Sequence, residues 1–150
     1  MEMRVSDIAE KFNDKFTVFC PFPVASDREA YEKLPQADVI VFNMTNRPAS
    51  LGTRVRQLRF PYTCRVSSWQ ISFRRQSLLR SGVRFDTLLG AGTGNGGEEE
   101  LKFLTDCRRA GLSIYYVPEA IASVAQEVST WFHGYTETNF ENRGATTRYI

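Results

Sequence analysis

The chain has 150 residues, 42% of them hydrophobic and 24% charged, and a formal net charge of +2. That length fits one domain able to bury about two thirds of its unfolded surface, and the composition is that of a globular protein. No apolar run approaches the roughly 20 residues of a membrane helix, and the start lacks the basic-then-apolar pattern of a secretory leader.

In chain order, Val5, Ile8, Ala9 and Phe12 mark one face of a short amphipathic helix over residues 4–15. Phe16 to Cys20 reads as a strand ended by Pro21 and Pro23. Ser26 or Asp27 caps a second helix running to about Leu34, with Asp27, Glu29 and Glu32 suited to its positive end. Ala37 to Asn43 is the clearest strand, an apolar run fitted to a sheet covered on both faces. A Pro- and Gly-bearing loop follows over residues 46–52. The alternation of Val55, Leu58, Phe60, Tyr62 and Cys64 then predicts one or two short strands within 54–67.

Ser72 to Arg80 predicts a helix stopped by Gly82. Past a glycine-rich loop, Gly90 to Gly97, three glutamates (Glu98, Glu99, Glu100) open a helix reaching Arg109, and Gly111 stops it. Strands are expected over 113–117 and 120–124, on either side of Pro118, and the aromatic, polar tail reads as helical as far as Gly144. No repeat or linker divides the chain, so residues 1–150 form a single domain, a mixed α/β sheet with flanking helices.

Charge is unevenly placed. Residues 1–38 hold eight acids against five bases and residues 86–150 nine against five, whereas 39–85 holds nine arginines and no acid. Such a segment favours anions: phosphates, nucleic acid or the protein's own carboxylates. Nucleic acid is the poorer match, because no binding motif accompanies the arginines and the acidic flanks interrupt any basic track. Cys20, Cys64 and Cys107 form no CxxC pair and read as reduced, buried thiols of a cytoplasmic protein.

Gly92-x-Gly94-x-x-Gly97, with Glu119 beyond, formally matches a dinucleotide fingerprint. The helix it feeds opens with three carboxylates, which would repel a pyrophosphate. His133, the single histidine, has no metal-ligand spacing around it, and no nucleophile elbow is present. Trp131, Phe132 and Tyr135 read as core or lid residues, with sugar stacking the alternative. The three carboxylates beside a glycine loop are therefore the candidate site. Their plainer role is to stabilise a helix start, about 0.3–1 kcal/mol each.

Four pieces in order resemble one family: Trp69-Gln-Ile-Ser-Phe-Arg-Arg, Gly82-Val-Arg-Phe-Asp86, Gly97-Glu98-Glu99-Glu100 and Arg109-Ala-Gly-Leu-Ser-Ile-Tyr-Tyr-Val-Pro118. They resemble the C-terminal, acceptor-side half of family 2 glycosyltransferases, nucleotide-sugar enzymes of the GT-A type. The likeness runs from about Ala37 to Ala125, and Ser123 to Tyr135 is similar to bacterial members that build surface polysaccharides. The resemblance implies transfer of a sugar from a nucleotide-sugar to a saccharide hydroxyl with inversion.

It also implies that Glu100, with Glu99 as the neighbouring choice, is the base that deprotonates the acceptor. The family carries Asp there, and the extra methylene of Glu extends the reach by about an ångström. Asp86 orders its loop in this comparison. Trp69 and Trp131 are the implied acceptor contacts, and Arg74 and Arg75 the implied phosphate or structural partners. The family also uses a divalent metal, manganese or magnesium, held by an Asp-x-Asp motif that this sequence lacks, and Val124 stands where a metal-binding His is often found. The chain is thus expected to be the acceptor-side portion, completed by a donor half or a partner chain, or else a non-catalytic saccharide-binding or subunit-interaction module. No nucleic acid and no transmembrane segment are expected, and the location is cytoplasmic or membrane-peripheral.

Overall fold

The computed structural model describes residues 18–19, 25–45, 51–90, 93, 97–124 and 135–150. The helix expected over 4–15, the loop residues 46–50, Cys20, Gly92, Gly94, Trp131, Phe132 and His133 lie outside the described residues. The elements run β1 (Val18–Phe19), α1 (Ala25–Lys33), β2 (Val39–Met44), β3 (Arg56–Gln57), two 3₁₀ turns (Tyr62–Arg65 and Ser68–Gln70) and β4 (Ile71–Phe73). They continue with α2 (Arg75–Ser81), α3 (Glu99–Arg109), β5 (Ile114–Val124) and α4 (Glu137–Tyr149). Among them no helix is long and apolar enough to cross a membrane.

The sheet is mixed, in the order β1-β5-β2-β4, with β3 also pairing β5. β2 and β5 are parallel, and the other pairings are antiparallel. β2 is covered on both faces, as its apolar run predicts. Val39 and Val41 pack with Phe103, Leu104 and Cys107 of α3, while Ile40 and Phe42 pack with Ala30 near the partly buried Tyr31 and Leu34 of α1. The architecture is a mixed α/β sheet with a helix on each face.

Several elements differ from expectation. The two strands predicted around Pro118 are one strand, β5. Its register against β2 shifts between Val41 and Met44, and the Asn43 side-chain amide donates to the Pro118 carbonyl at 3.2 Å. An irregular register and a side-chain bond let a strand run through a residue without an N–H. Ser72 and Phe73, expected to start a helix, belong with Ile71 to β4 instead, where Arg74 N donates to the Asp38 carbonyl at 2.8 Å beside β2. The helix then begins at Arg75 and ends as predicted at Gly82, in the left-handed region with φ 71°. Only Arg56–Gln57 forms the strand predicted within 54–67, the rest turning into 3₁₀ geometry. The tail helix continues past Gly144 to Tyr149.

One polar node ties these pieces together. Asp38 accepts bonds from the Ser77 hydroxyl at 2.6 Å, from Ser113 N at 2.8 Å and from the Ser113 hydroxyl at 3.1 Å. Arg74 donates to the carbonyls of Ala37 at 2.8 Å and Tyr31 at 3.0 Å, with its guanidinium 4.6 Å from the Tyr31 ring centroid. Burial alone would raise the Asp38 pKa, but the Ser77 and Ser113 bonds and the Arg74 charge outweigh it and hold the carboxyl below its ordinary value. A depressed carboxylate contributes stability above its unfolded pKa, and that stability is lost as pH falls through the folded pKa. Asp38→Asn should therefore destabilise the chain by about 2–4 kcal/mol near pH 7, because an amide N–H would face a donor and the charge-assisted bonds would weaken. The deficit should shrink as pH falls below about 4. Urea unfolding of both proteins near pH 7 and near pH 3 measures this, and an equal gap at both would rule out the charge as the cause.

Candidate functional site

The acidic helix start is built from the loop before it. Phe85 stacks on Phe103 of α3, with centroids 4.1 Å apart and planes within 3°. Asp86 then accepts the Leu88 N–H at 2.9 Å, ordering its turn as expected. At the other end of the loop Glu98 caps α3 with φ 77°, a left-handed geometry that costs a non-glycine residue about 1 kcal/mol. Its carboxylate accepts the Arg143 Nε–H at 2.7 Å, and the Thr146 hydroxyl of the same helix, α4, lies 3.2 Å from the Gly97 carbonyl. The C-terminal helix thus lies across the mouth of α3.

Glu99 and Glu100 are successive helical residues whose side chains diverge by about 100°, and Glu98 precedes them in left-handed geometry, so the three glutamates meet three environments. Glu98 meets Arg143. Glu99 turns to Gly90, where an added Cβ would come within 2.8 Å of the Glu99 carboxyl carbon. Its Oε2 is buried without a hydrogen-bond partner among the described residues, and burial, then the charge of Glu100, raises its pKa. Glu100, 3% exposed, accepts the Ser68 N–H at 3.0 Å. Burial also raises its pKa, against the lowering effect of backbone hydrogen bonds, that of Ser68 among them.

A cleft of about 260 Å³ opens at this point, lined by Cys64, Arg65, Ser67, Glu98, Glu100 and Arg143, among others. It holds both signs of charge, and Glu100 is the buried acid in its wall. Glu99 does not line it.

The other expected site residues are placed as follows. Trp69 adjoins Ser68 in sequence but packs on Met44 and Ala122, outside the cleft lining. Arg74 is committed to the carbonyls of the Asp38 node, which fits its expected structural role and leaves its fork occupied. Arg75 is exposed in the first turn of α2, and Trp131 lies outside the described residues. Sequence reasoning missed Ser68, Arg65 and Arg143. Arg143 is 45 residues from its partner Glu98, and no local pattern signals such a pairing.

Cys107 is buried as expected, and desolvation raises its pKa to about 12, so it is an inert core thiol. Cys64 departs from expectation: it is exposed at the cleft edge. Desolvation of its thiol and the Glu98 carboxylate raise its pKa, which opposes thiolate reactivity.

The divalent metal implied by the resemblance needs a gathered set of oxygen ligands. Glu98, Glu99 and Glu100 engage separate surroundings, and among the described residues no group of three His, Cys, Asp or Glu side chains is gathered to hold an ion. Comparison with known proteins yields no match to a family model, a curated protein or a solved structure.

The half-buried Glu99, whose Oε2 has no partner among the described residues, has a measurable consequence. An acid with a raised folded pKa binds protons more readily when folded, so its contribution worsens as pH rises from its ordinary value of 4.5 through the folded one. Glu99→Gln should stabilise the chain by about 1–2 kcal/mol near pH 7, since a neutral amide is less costly to bury than an unpaired charge. The gain should fade as the solution is taken to about pH 4. Thermal unfolding across that range tests it, and a less stable variant near pH 7 would show that a cation or donor satisfies Glu99 in solution.

Proposed function

We propose that this chain is the acceptor-side portion of a GT-A-type family 2 glycosyltransferase, with Glu100 as the base. In the reaction a saccharide hydroxyl gives its proton to Glu100 and its oxygen bonds to the anomeric carbon of a nucleotide-sugar. The bond to the nucleotide diphosphate breaks on the opposite side, inverting that carbon. The observation that carries the proposal is Glu100, a desolvated carboxylate in the first turn of α3 that lines a polar cleft. Burial raises its pKa, which moves a carboxylate toward the range where it accepts a proton effectively. Support comes also from element order: a short strand, an arginine-opened helix, the Phe85-Asp86 turn, the acidic helix and a strand carrying Tyr115-Tyr116-Val117-Pro118. In this reading the donor nucleotide and its manganese or magnesium belong to a donor half or partner chain.

A second reading has its own observation. Glu100 accepts the Ser68 N–H and is 3% exposed, while Glu98 is paired with Arg143, so both carboxylates in the cleft also hold structure together. That suits a saccharide-binding or subunit-interaction module without catalysis.

Calorimetric titration with neutral oligosaccharides and with UDP-sugars, with and without Mn²⁺, followed by a transfer assay, separates the two. Under the enzyme reading, Glu100→Gln lowers transfer by about 10²–10⁴-fold with the acceptor KM little changed. The wild-type rate then rises with pH through a pKa above the ordinary carboxylate value. With the donor half or partner chain supplied, saccharide binding with no transfer favours the module, a variant with full activity removes Glu100 as base, and a folded chain that binds no saccharide overturns both readings.

A further inference from the structure

A second surface, independent of the candidate cleft's chemistry, lies on the turn after β3. Tyr62 N donates to the Arg59 carbonyl at 2.9 Å, closing a turn with Phe60 and Pro61 at its tip. Phe60 is 68% exposed there, and Val55, on the other side of β3, is 52% exposed. Exposed arginines flank these apolar groups: Arg54 beside Val55 and Arg59 beside Phe60. Arg59 and Arg108 both line a groove of about 240 Å³ that also includes Gln57, Gly111 and Ser113 and, among the described residues, no acid.

Exposed apolar side chains with arginines beside them in the chain, and a groove next to Phe60 in sequence that two arginines line, complement a surface that is negatively charged outside and apolar beneath. We infer that this turn docks on an anionic lipid surface, with Phe60 entering the acyl boundary and Arg59 and Arg108 taking a lipid phosphate between them. Nucleic acid fits less well. One face of the Tyr62 ring is taken by the Arg56 guanidinium at 4.4 Å, and Val55 has no π-face, so the turn offers Phe60 and at most the other face of Tyr62 for stacking.

The test is flotation of the whole chain with vesicles of phosphatidylcholine alone or with about a third phosphatidylglycerol. Binding is expected to the anionic vesicles, to fall steeply in about 0.5 M salt, and to be near background on phosphatidylcholine. Arg59→Gln and Arg108→Gln should each weaken partition about fivefold and Phe60→Ser about tenfold. All three positions are exposed or line an open groove, and circular dichroism checks that each variant folds. As a second probe, Phe60→Trp should add fluorescence that bromine-labelled acyl chains quench.

Equal binding to both vesicle types, no binding to either, or three variants that bind as wild type would overturn the inference. So would displacement from vesicles by millimolar inorganic phosphate, which would mark a soluble-anion site. Tighter Phe60-dependent binding to single-stranded DNA than to anionic vesicles would replace it with a nucleic-acid surface.

Discussion

The fold depends on how β2 and β5 begin side by side. Both are interior strands with little polar side chain to fix their relative height, and a parallel pair cannot be set by a tight turn. Asp38 sets it. Its carboxylate holds Ser113 from both backbone and side chain, while Asp38 N and Val39 N both donate to the Ser113 carbonyl, at 3.0 and 3.1 Å. The same residue takes the Ser77 hydroxyl, so α2 is fixed to the same point. Arg74 completes the node from below, and its planar fork meets two carbonyls at once, which a lysine point charge cannot do. A one-residue slip of β2 would exchange Val39 and Val41 with Ile40 and Phe42 and turn each set toward the wrong helix.

From that fixed edge the candidate cleft follows by packing. β5 carries Tyr116 into the core, where its hydroxyl lies 2.7 Å from the Gly52 carbonyl and 2.9 Å from Asn43 Oδ1, its single proton serving one at a time. α3 lies on the same face, and the Phe85–Phe103 stack sets where the glycine loop must return. The helix mouth then comes against Ser68, and Glu100 is desolvated as a result. A carboxylate buried in this way weakens the fold at neutral pH, a cost that hydrophobic packing of Phe103, Leu104 and Cys107 in the same helix offsets.

What was legible in the sequence was periodic or punctuated. The apolar run of β2, the amphipathic face of α3 and the Gly82 and Gly111 stops each express a local preference that the fold leaves in place. β4 was hidden because three residues are too few to show alternation, and the bond from Arg74 N to Asp38 decides between strand and helix there. The 3₁₀ turns were hidden because alternation of Phe60, Tyr62 and Cys64 mimics a strand, although all three are exposed in the fold. Within the site the acid triplet was visible, but its division was not. Which of Glu98, Glu99 and Glu100 faces Arg143, Gly90 or Ser68 depends on helix phase and on chain segments up to 45 residues away.

The charge segregation has the same origin. The acidic flanks pair some of their carboxylates with their own bases, locally in Arg28–Glu32, Lys33–Glu29 and Lys102–Asp106 and over a longer range in Arg143–Glu98. Four of their carboxylates are thus paired within the flanks, while Asp38 and Glu100 accept bonds from Ser77 and Ser68 of the central segment. Within that segment Arg56 and Arg74 turn to carbonyls and aromatic rings, so their charges serve the interior. Arg54, Arg59, Arg75, Arg80 and Arg84 are exposed and make no ion pair among the described residues. Folding could have placed the two signs against each other, yet pairs between exposed groups contribute only about 0–1 kcal/mol, too little to direct a chain. These exposed arginines leave a positive surface that a net charge of +2 conceals.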